Sequence, residues 1–384
     1  MFDLKSIRTS GDNAPRYYVL EDEGLKTAIQ MAIWLGKPLL LTGAPGTGKT
    51  QLAFKVADML SAEGNINAGS TAKFLNAPFV FNTKTTSTAT DLFYYYDAVR
   101  HFQRRYVDEQ EQNEQRGQVI KTTEISGSVD KDSVELTKIE YGKQISTAHA
   151  FIKMNALGRA ILQAWGRDAI LANEKLNDMK GIAEFDELAN EPRSSVVLID
   201  EIDKAPRDFP NDLLFEIENM QFSVSELMNK HIGRPQTNAQ VVVIMTSNFE
   251  KNLPDAFLRR CLFYHIPFPE TAGLMKIVAQ RIQPHLQELY KEEAGRLADV
   301  SKLINDNLEI MIKKFEEIRS SVKEKQPATA ELLEWIKALE RQGFFNGGIN
   351  FDKLEVKQKE IFQRSLPALA KSDEDLTALK KKYA

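Results

Sequence analysis

The chain has 384 residues, 42% of them hydrophobic, which is enough to form one large domain and a smaller one around real cores. Fifty Lys and Arg residues against 54 Asp and Glu give a net charge of -4, so the sequence lacks the broad positive field of generic nucleic-acid binding. The single cysteine, Cys261, permits no internal disulfide, and the most apolar stretch is broken by glycine and proline, so we expect a cytoplasmic protein without a membrane partner.

The first predicted elements form a strand, a glycine-rich loop and a helix. Apolar residues at helical spacing predict a helix over residues 22–35, and Leu39 to Leu41 is typical of a short buried strand. The segment from Gly43 to Thr50 follows and matches the pattern GxxxxGK[ST], after which residues 51–60 return to helical spacing. Glycines in such a loop let backbone N–H groups turn inward and form an anion nest at a helix N-terminus.

We therefore predict that this loop binds the phosphates of a nucleotide. Lys49 can reach the β and γ phosphates, and Thr50 offers a hydroxyl to Mg²⁺. The predicted nucleotide-binding residues are Gly43, Ala44, Pro45, Gly46, Thr47, Gly48, Lys49, Thr50 and Gln51. The alternative, a glycine turn with an incidental lysine, is disfavoured by the flanking strand and helix.

The next part of the chain alternates between regular patterns and polar connections. A second strand is predicted at residues 78–81, followed by an aromatic-rich helix at 91–103 and another helix at 151–171. Residues 104–147 interrupt this series with charged and alternating segments, which indicates a hairpin-like insertion.

A second polar motif follows the run from Val196 to Ile199, which is typical of a strand covered on both faces of a parallel sheet. Asp200 is a candidate Mg²⁺ ligand, and Glu201 is a candidate base for the attacking water. By itself an Asp-Glu pair after a strand is more often a helix cap. Together with the glycine loop, Asp200-Glu201 predicts nucleotide hydrolysis. The string nearest to a guanine-specific Asn-Lys-x-Asp motif begins at Asn229 and lacks the aspartate, so we expect ATP as the cofactor.

A further strand is predicted from Val241 to Met245, with polar residues directly after it. Strands that alternate with helices predict an α/β fold with a doubly wound parallel sheet, whose ligands bind beyond the carboxyl ends of the strands. We predict this domain over residues 1–270, a helical domain over 271–340 and a helical tail over 341–384. The phenylalanines of the tail either dock onto the helical domain or belong to a partner-binding helix.

With these motifs in order, the sequence resembles the AAA+ ATPases and, more narrowly, their MoxR branch. The resemblance covers about residues 15–340 apart from the insertion. It rests on Gly43–Thr50 and on residues 196–218, 244–248, 253–269 and 326–339. It identifies the glycine loop as a Walker A motif and Asp200-Glu201 as part of a Walker B motif, and it implies that the helical domain is a lid.

The resemblance also assigns roles to residues outside the two Walker motifs. Asn248 resembles the sensor 1 residue that helps to place the attacking water. Arg259 and Arg260 match the place of an arginine finger that enters the site of the neighbouring subunit, and Arg260 aligns with the finger itself. The insertion resembles an insert of helix 2 that faces the ring axis, and residues 222–227 resemble a strand of a pre-sensor hairpin. Either segment could instead be a surface hairpin.

The lid departs from the family pattern at one position. Relatives often carry a sensor 2 arginine at the start of the helix predicted over residues 329–339, whereas this chain has Ala330. Either Lys323 or Lys325 substitutes for it, or the lid does not read the nucleotide directly.

The resemblance implies a homo-oligomeric ring, usually hexameric, in which ATP hydrolysis at subunit interfaces remodels a protein partner in a chaperone-like manner. The segment from Asp91 to Ala98 resembles members found beside von Willebrand A domain proteins, and that domain would have to come from another polypeptide. Two other functions remain open at this stage. They are a nucleotide-gated oligomerisation scaffold with slow turnover and a nucleic-acid motor, which the net charge disfavours.

Overall fold

The computed structural model of the protein describes residues 18–62, 72–104, 148–248, 252–346 and 348–383. The insertion predicted at 104–147 therefore lies outside the described residues, apart from its first residue. The strands are β1 (Leu39–Thr42), β2 (Phe79–Asn82), β3 (Tyr94–Tyr96), β4 (Ile152–Met154), β5 (Ser195–Asp200), β6 (Phe222–Val224), β7 (Lys230–Ile232), β8 (Val241–Ser247) and β9 (Leu262–His265). The helices are α1 (Glu23–Leu35), α2 (Lys49–Ala62), α3 (Ala156–Trp165), α4 (Arg167–Ala172), α5 (Phe209–Asp212), α6 (Leu214–Asn219), α7 (Asp255–Leu258), α8 (Thr271–Leu289), α9 (Ala294–Ser321), α10 (Thr329–Arg341), α11 (Val356–Ser365) and α12 (Asp373–Lys382).

A five-stranded sheet with the order β2-β5-β8-β1-β9 forms the centre of the molecule, and all of its pairings are parallel. Alternate residues of a strand point to opposite faces, and both faces are buried here. Leu40 and Val197 pack in a core that contains α3, whereas Leu39 and Val196 pack in a core that contains α1 and α2. The predicted doubly wound α/β fold is thus confirmed.

The predicted helix at 22–35 is also confirmed, and its ends have clear local causes. The Asp22 carboxylate accepts a hydrogen bond from the Leu25 amide at 3.1 Å, which caps the N-terminus of α1. Gly36 ends the helix in the left-handed region, with φ 60°.

The prediction of one helix over residues 91–103 is wrong. Tyr94 to Tyr96 instead form β3, which pairs antiparallel with β4. A short 3-10 helix at Ala89–Leu92 precedes it, and α-helix is described in this segment only at 98–104. Aromatic residues favour strands as soon as a pairing partner is available. Phe93 and Tyr94 are buried beside Phe222 of β6, so tertiary packing decides the local structure.

The helix predicted over 151–171 is wrong at its start and is interrupted. Residues 152–154 belong to β4, and the remainder forms α3 and α4 on either side of Gly166. Gly166 has φ 77°, and a Cβ there would lie 2.7 Å from the backbone nitrogen of Pro192. The break therefore lets a neighbouring loop approach the backbone closely.

The strand predicted within residues 222–227 is present as β6, which pairs antiparallel with β7. The chain reverses through Met228 and Asn229, both of which have positive φ angles. Lys230 anchors this hairpin, because its ammonium lies 2.6 Å from the Asp178 carboxylate.

Helices α8 to α12 follow the sheet and share one hydrophobic core. Leu274 of α8, Phe315 of α9 and Trp335 of α10 contribute to it, as do Phe344 and Phe362 from the segment beyond residue 340. In the described part of the chain, no helix is both long and apolar enough to span a membrane.

Candidate nucleotide-binding and hydrolysis site

The glycine loop connects β1 to α2 at the carboxyl edge of the sheet. Gly43, Gly46 and Gly48 have φ angles of 144°, 75° and 87°, which side chains of L-residues rarely tolerate. A Cβ on Gly43 would lie only 2.5 Å from the carbonyl oxygen of Ile266. The loop conformation, and with it the inward curl of the backbone, therefore requires these glycines.

Lys49 lies inside this curl and is only 6% exposed. Its ammonium donates hydrogen bonds to the carbonyl oxygens of Gly43 at 2.8 Å and Ala44 at 3.0 Å. Burial lowers the pKa of Lys49, and the nearby carboxylates, Asp200 first among them, oppose that shift. A buried cation held by weak neutral acceptors is well placed to exchange them for phosphate oxygens.

Thr50 and Asp200 meet where α2 begins and β5 ends. The Thr50 hydroxyl lies 3.0 Å from each carboxylate oxygen of Asp200. A hydroxyl beside a carboxylate fits Mg²⁺, which prefers oxygen ligands and usually takes few of them from protein. The described residues contain no cluster of three or more His, Cys, Asp and Glu suited to a metal, so a site here would complete its shell with phosphate and water.

Thr246 joins the two acidic residues and is a feature that the sequence argument missed. Its hydroxyl donates to an Asp200 carboxylate oxygen at 2.5 Å and accepts from the Glu201 amide at 2.8 Å. The pairing of Ile199 with Met245 in neighbouring strands brings the residues after each of them together. Had that register been assumed, the polar residue after Met245 would have been a candidate.

Glu201 is held by residues from two elements. Its backbone has φ 55° and ψ 50°, a left-handed conformation that turns the chain sharply after β5. One carboxylate oxygen accepts a hydrogen bond from the Asn248 side-chain amide at 3.3 Å, and the other pairs with Lys204. Asn248 in turn donates its backbone N–H to Asp203 at 3.1 Å. Asn248 thus lies beside Glu201, as its predicted role requires, whereas Lys204 and Asp203 were not anticipated.

Arg259 and Arg260 follow α7 and are both exposed. Arg260 donates to the carbonyl oxygen of Ala256 at 3.0 Å, and its guanidinium lies 3.6 Å from the Glu218 carboxylate. Its described contacts are therefore made at the protein surface.

A cavity of about 310 Å³ adjoins the glycine loop. Its walls come from residues 18–22, from Thr47, Gly48 and Gln51, and from α8 and α10. This volume is at the lower end of the range for small-molecule sites. The cavity lies between the sheet domain and the C-terminal helices, so both contribute to any ligand that fills it.

Comparison with known proteins agrees with this arrangement. Residues 170–299 match the family model for the AAA domain (Cdc48 subfamily). This match supports an AAA+ ATPase. Together with the parallel sheet and its glycine loop, it identifies an α/β P-loop fold with a helical C-terminal region. It covers about a third of the chain and does not distinguish the MoxR branch, which stays a prediction.

Among solved structures, the chain is similar to domain III of the replication initiation protein DnaA from Thermotoga maritima. The two are 11% identical, with a TM-score of 0.37, over 95% of this chain and 100% of that one. A likeness at this level supports no conclusion about function. The comparison with curated proteins gives no match.

Proposed function

We propose that this chain is a MoxR-type AAA+ ATPase that hydrolyses ATP in a homo-oligomeric ring, usually hexameric in this family, and remodels a protein partner. The observation that carries the hydrolytic part is one chain of hydrogen bonds beside the glycine loop. It runs from Thr50 through Asp200, Thr246 and Glu201 to Asn248. A mere phosphate-binding loop has no need of a carboxylate held in this way.

Each residue of this chain has a definite task in the proposed reaction. Backbone N–H groups of the loop and Lys49 bind the phosphates, and Thr50 with Asp200 holds Mg²⁺, which when bound neutralises charge on them. Glu201 accepts a proton from the attacking water, and Asn248 orients both. Lys204 also pairs with Glu201, so this ion pair has to loosen before the carboxylate acts as a base.

The ring is proposed from the family resemblance and from the exposed position of the two arginines. Arg260 is half exposed, with its guanidinium near Glu218 on the subunit surface. An arginine that acts on the site of a neighbouring subunit needs this outward position, and its positive charge would stabilise the transition state there. The division into residues 1–270, 271–340 and 341–384 belongs to the same proposal, as does a cytoplasmic setting. A partner with a von Willebrand A domain is proposed from the family resemblance alone.

The test compares Lys49→Ala and Glu201→Gln with the unmodified protein. Lys49→Ala is expected to lose ATP binding, because the loop loses its buried cation. Glu201→Gln is expected to bind ATP and hydrolyse it slowly, because Asp200 and the glycine loop are intact. Calorimetry measures binding, phosphate release measures turnover, and the mass of Glu201→Gln with ATP and Mg²⁺ reports ring assembly. Unchanged turnover in Glu201→Gln would place the base elsewhere, and a monomer with full activity would rule out the ring.

A further inference from the structure

A second cleft, with a volume of about 290 Å³, lies at the amino edge of the sheet. Its lining includes Val241 and Val242, the first residues of β8. The strands of this sheet are parallel, so the beginning of β8 and the glycine loop, which follows the end of β1, lie at opposite edges. A ligand in this cleft would therefore occupy a different place from the proposed nucleotide.

The end of α1 forms one wall of the cleft and carries an exposed apolar patch. Met31, Trp34 and Leu35 are 40%, 68% and 57% exposed, and their spacing of three and four residues places them on one face of the helix. Single exposed apolar residues are ordinary, whereas neighbouring ones that include a tryptophan are typical of binding surfaces. Trp34 and Leu35 also line the cleft, so the patch continues into it.

The segment that joins β7 to β8 forms the opposite wall and is fastened to the end of α3. The Trp165 indole N–H donates to the carbonyl oxygen of Gly233 at 3.0 Å, and the Thr237 hydroxyl donates to the carbonyl oxygen of Ala164 at 2.7 Å. On the first wall, Gly36 ends α1 with a defined left-handed cap. Both walls are thus formed before any ligand arrives, which lowers the entropic cost of binding.

The charged side chains in the lining leave an excess of positive charge. They are Lys37, Glu218 and Arg234. Glu218 already has a cationic partner, because its carboxylate lies 3.6 Å from the guanidinium of Arg260. Neither Lys37 nor Arg234 forms an ion pair with another residue in the described part of the chain. The charge that complements this cleft is therefore negative.

We propose that the cleft and the patch on α1 together form a docking site for another protein, which binds through a segment with acidic residues beside a large apolar side chain. The apolar side chain packs on Trp34 and Leu35, and the carboxylates pair with Lys37 and Arg234. Tryptophan is among the residues that most often dominate binding energy, whereas exposed charge pairs chiefly provide specificity and speed of association. This docking site needs no nucleotide and goes beyond the proposed hydrolysis.

The experiment selects short random peptides by phage display on the immobilised full chain, after depletion of the library on the Trp34→Ser variant. Synthetic copies of the enriched peptides are titrated into the full chain and followed by calorimetry and by tryptophan emission. Emission reports on the patch because Trp34 is largely exposed, whereas Trp335 is fully buried.

Further variants test the cations and control for surface changes in general. Lys37→Gln and Arg234→Gln each remove one positive charge from the cleft. Val356→Ser and Lys357→Gln are matched controls, because both residues are exposed on α11 and neither lines the cleft. Thermal unfolding verifies that every variant is folded.

We expect the enriched peptides to carry Asp or Glu close to an aromatic or long aliphatic residue. Trp34→Ser should weaken their binding about tenfold or more, as truncation of a dominant interface residue does. Lys37→Gln and Arg234→Gln should each weaken it about two- to fivefold and reduce its dependence on salt. Val356→Ser and Lys357→Gln should bind like the unmodified protein.

Three results would overturn the proposal. The first is that no peptide depends on Trp34, and the second is that the enriched peptides lack acidic residues or bind Lys37→Gln and Arg234→Gln without loss. The third is a loss of oligomers in Trp34→Ser, measured by mass with ATP and Mg²⁺, because the patch would then be a contact between copies of this chain. Lys49→Ala should bind the peptides normally, so a failure of the proposed ATPase remains distinguishable from a failure of this site.

Discussion

Replacing Thr246 with valine tests whether the two acidic residues act as one unit. Valine has nearly the same shape as threonine, so the substitution removes the hydroxyl without opening a cavity. Thr246 is only 1% exposed, and its hydroxyl makes two hydrogen bonds, at 2.5 Å to Asp200 and 2.8 Å to the Glu201 amide. Asp200 keeps its contact with Thr50, whereas the Glu201 amide loses the partner described for it.

The magnitude follows from these two bonds. A hydrogen bond to a charged group contributes about 1.5–3 kcal/mol, and a buried donor without a partner costs about 1–3 kcal/mol. The two effects share one side chain and Asp200 is only partly buried, so we expect a loss of about 2–4 kcal/mol in the free energy of unfolding. Glu201 also loses a constraint on its left-handed backbone, and a small misplacement of a catalytic group can reduce turnover about a hundredfold.

Urea unfolding and phosphate-release assays measure these effects, and Thr246→Ser provides the control because it keeps the hydroxyl. Thr246→Val should lose stability and turnover while its affinity for ATP stays within about threefold of the unmodified protein, because the glycine loop and Lys49 are intact. Thr246→Ser should recover most of both losses. If Thr246→Val unfolds and turns over like the unmodified protein, the hydroxyl does not organise the site and Glu201 is positioned by other contacts.

Two further predictions concern the ring and the contact between loop and lid. Arg260→Ala should bind ATP but lose most of its hydrolysis, and mixing it with Lys49→Ala should restore activity, because some interfaces then combine an intact loop with an intact arginine. Mixed rings, verified by mass, that remain inactive would rule out action in trans. Gly46→Ala should destabilise the protein more than Gly36→Ala in thermal unfolding. Both glycines have positive φ angles, but only at Gly46 would the new Cβ meet another residue, the Ala328 Cβ at 2.8 Å, so equal losses would exclude that contact.

The sequence predicts the sheet domain well where one local pattern allows one interpretation. The apolar run before Asp200 and the glycine loop after β1 both specify their structures within a few residues. Residues 94–96 do not, since the strand preference of three tyrosines takes effect only when β4 is present to pair with them. That partner lies more than fifty residues away in the chain, so the decision is made by tertiary structure.

Some residues of the candidate site could likewise be predicted from the sequence, and others could not. Lys49, Thr50, Asp200 and Glu201 were identified because each belongs to a contiguous motif. Thr246 gains its role from the register between β5 and β8, which no contiguous motif records. The cavity beside the glycine loop depends on the packing of the C-terminal helices against the sheet domain, and the residues of α8 that line it were not predicted from the sequence.

Lys323 and Lys325, which were considered as substitutes for a sensor 2 arginine, lie in a loop whose backbone is hydrogen-bonded to the C-terminal tail. The Lys323 amide donates to the Asp375 carboxylate of α12 at 3.0 Å, and the Glu324 amide donates to the same group at 3.2 Å. These amide contacts, the one from Lys323 first, lower the pKa of Asp375. The tail therefore contributes directly to the lid, and this contact favours the docking interpretation of residues beyond 340 over a free partner-binding helix.

The start of α10 packs directly on the glycine loop. A Cβ on Gly46 would lie 2.8 Å from the Ala328 Cβ and 3.8 Å from the Ala330 Cβ, so the lid rests directly on the glycine loop. Arg319 supports this contact, because it donates to the carbonyl oxygen of Pro327 and its guanidinium lies 3.8 Å above the Phe268 ring. The close approach occurs at Ala328 and requires a glycine at position 46. A lid that touches the loop in this way can respond to a change in loop conformation by packing alone, without a charge at position 330.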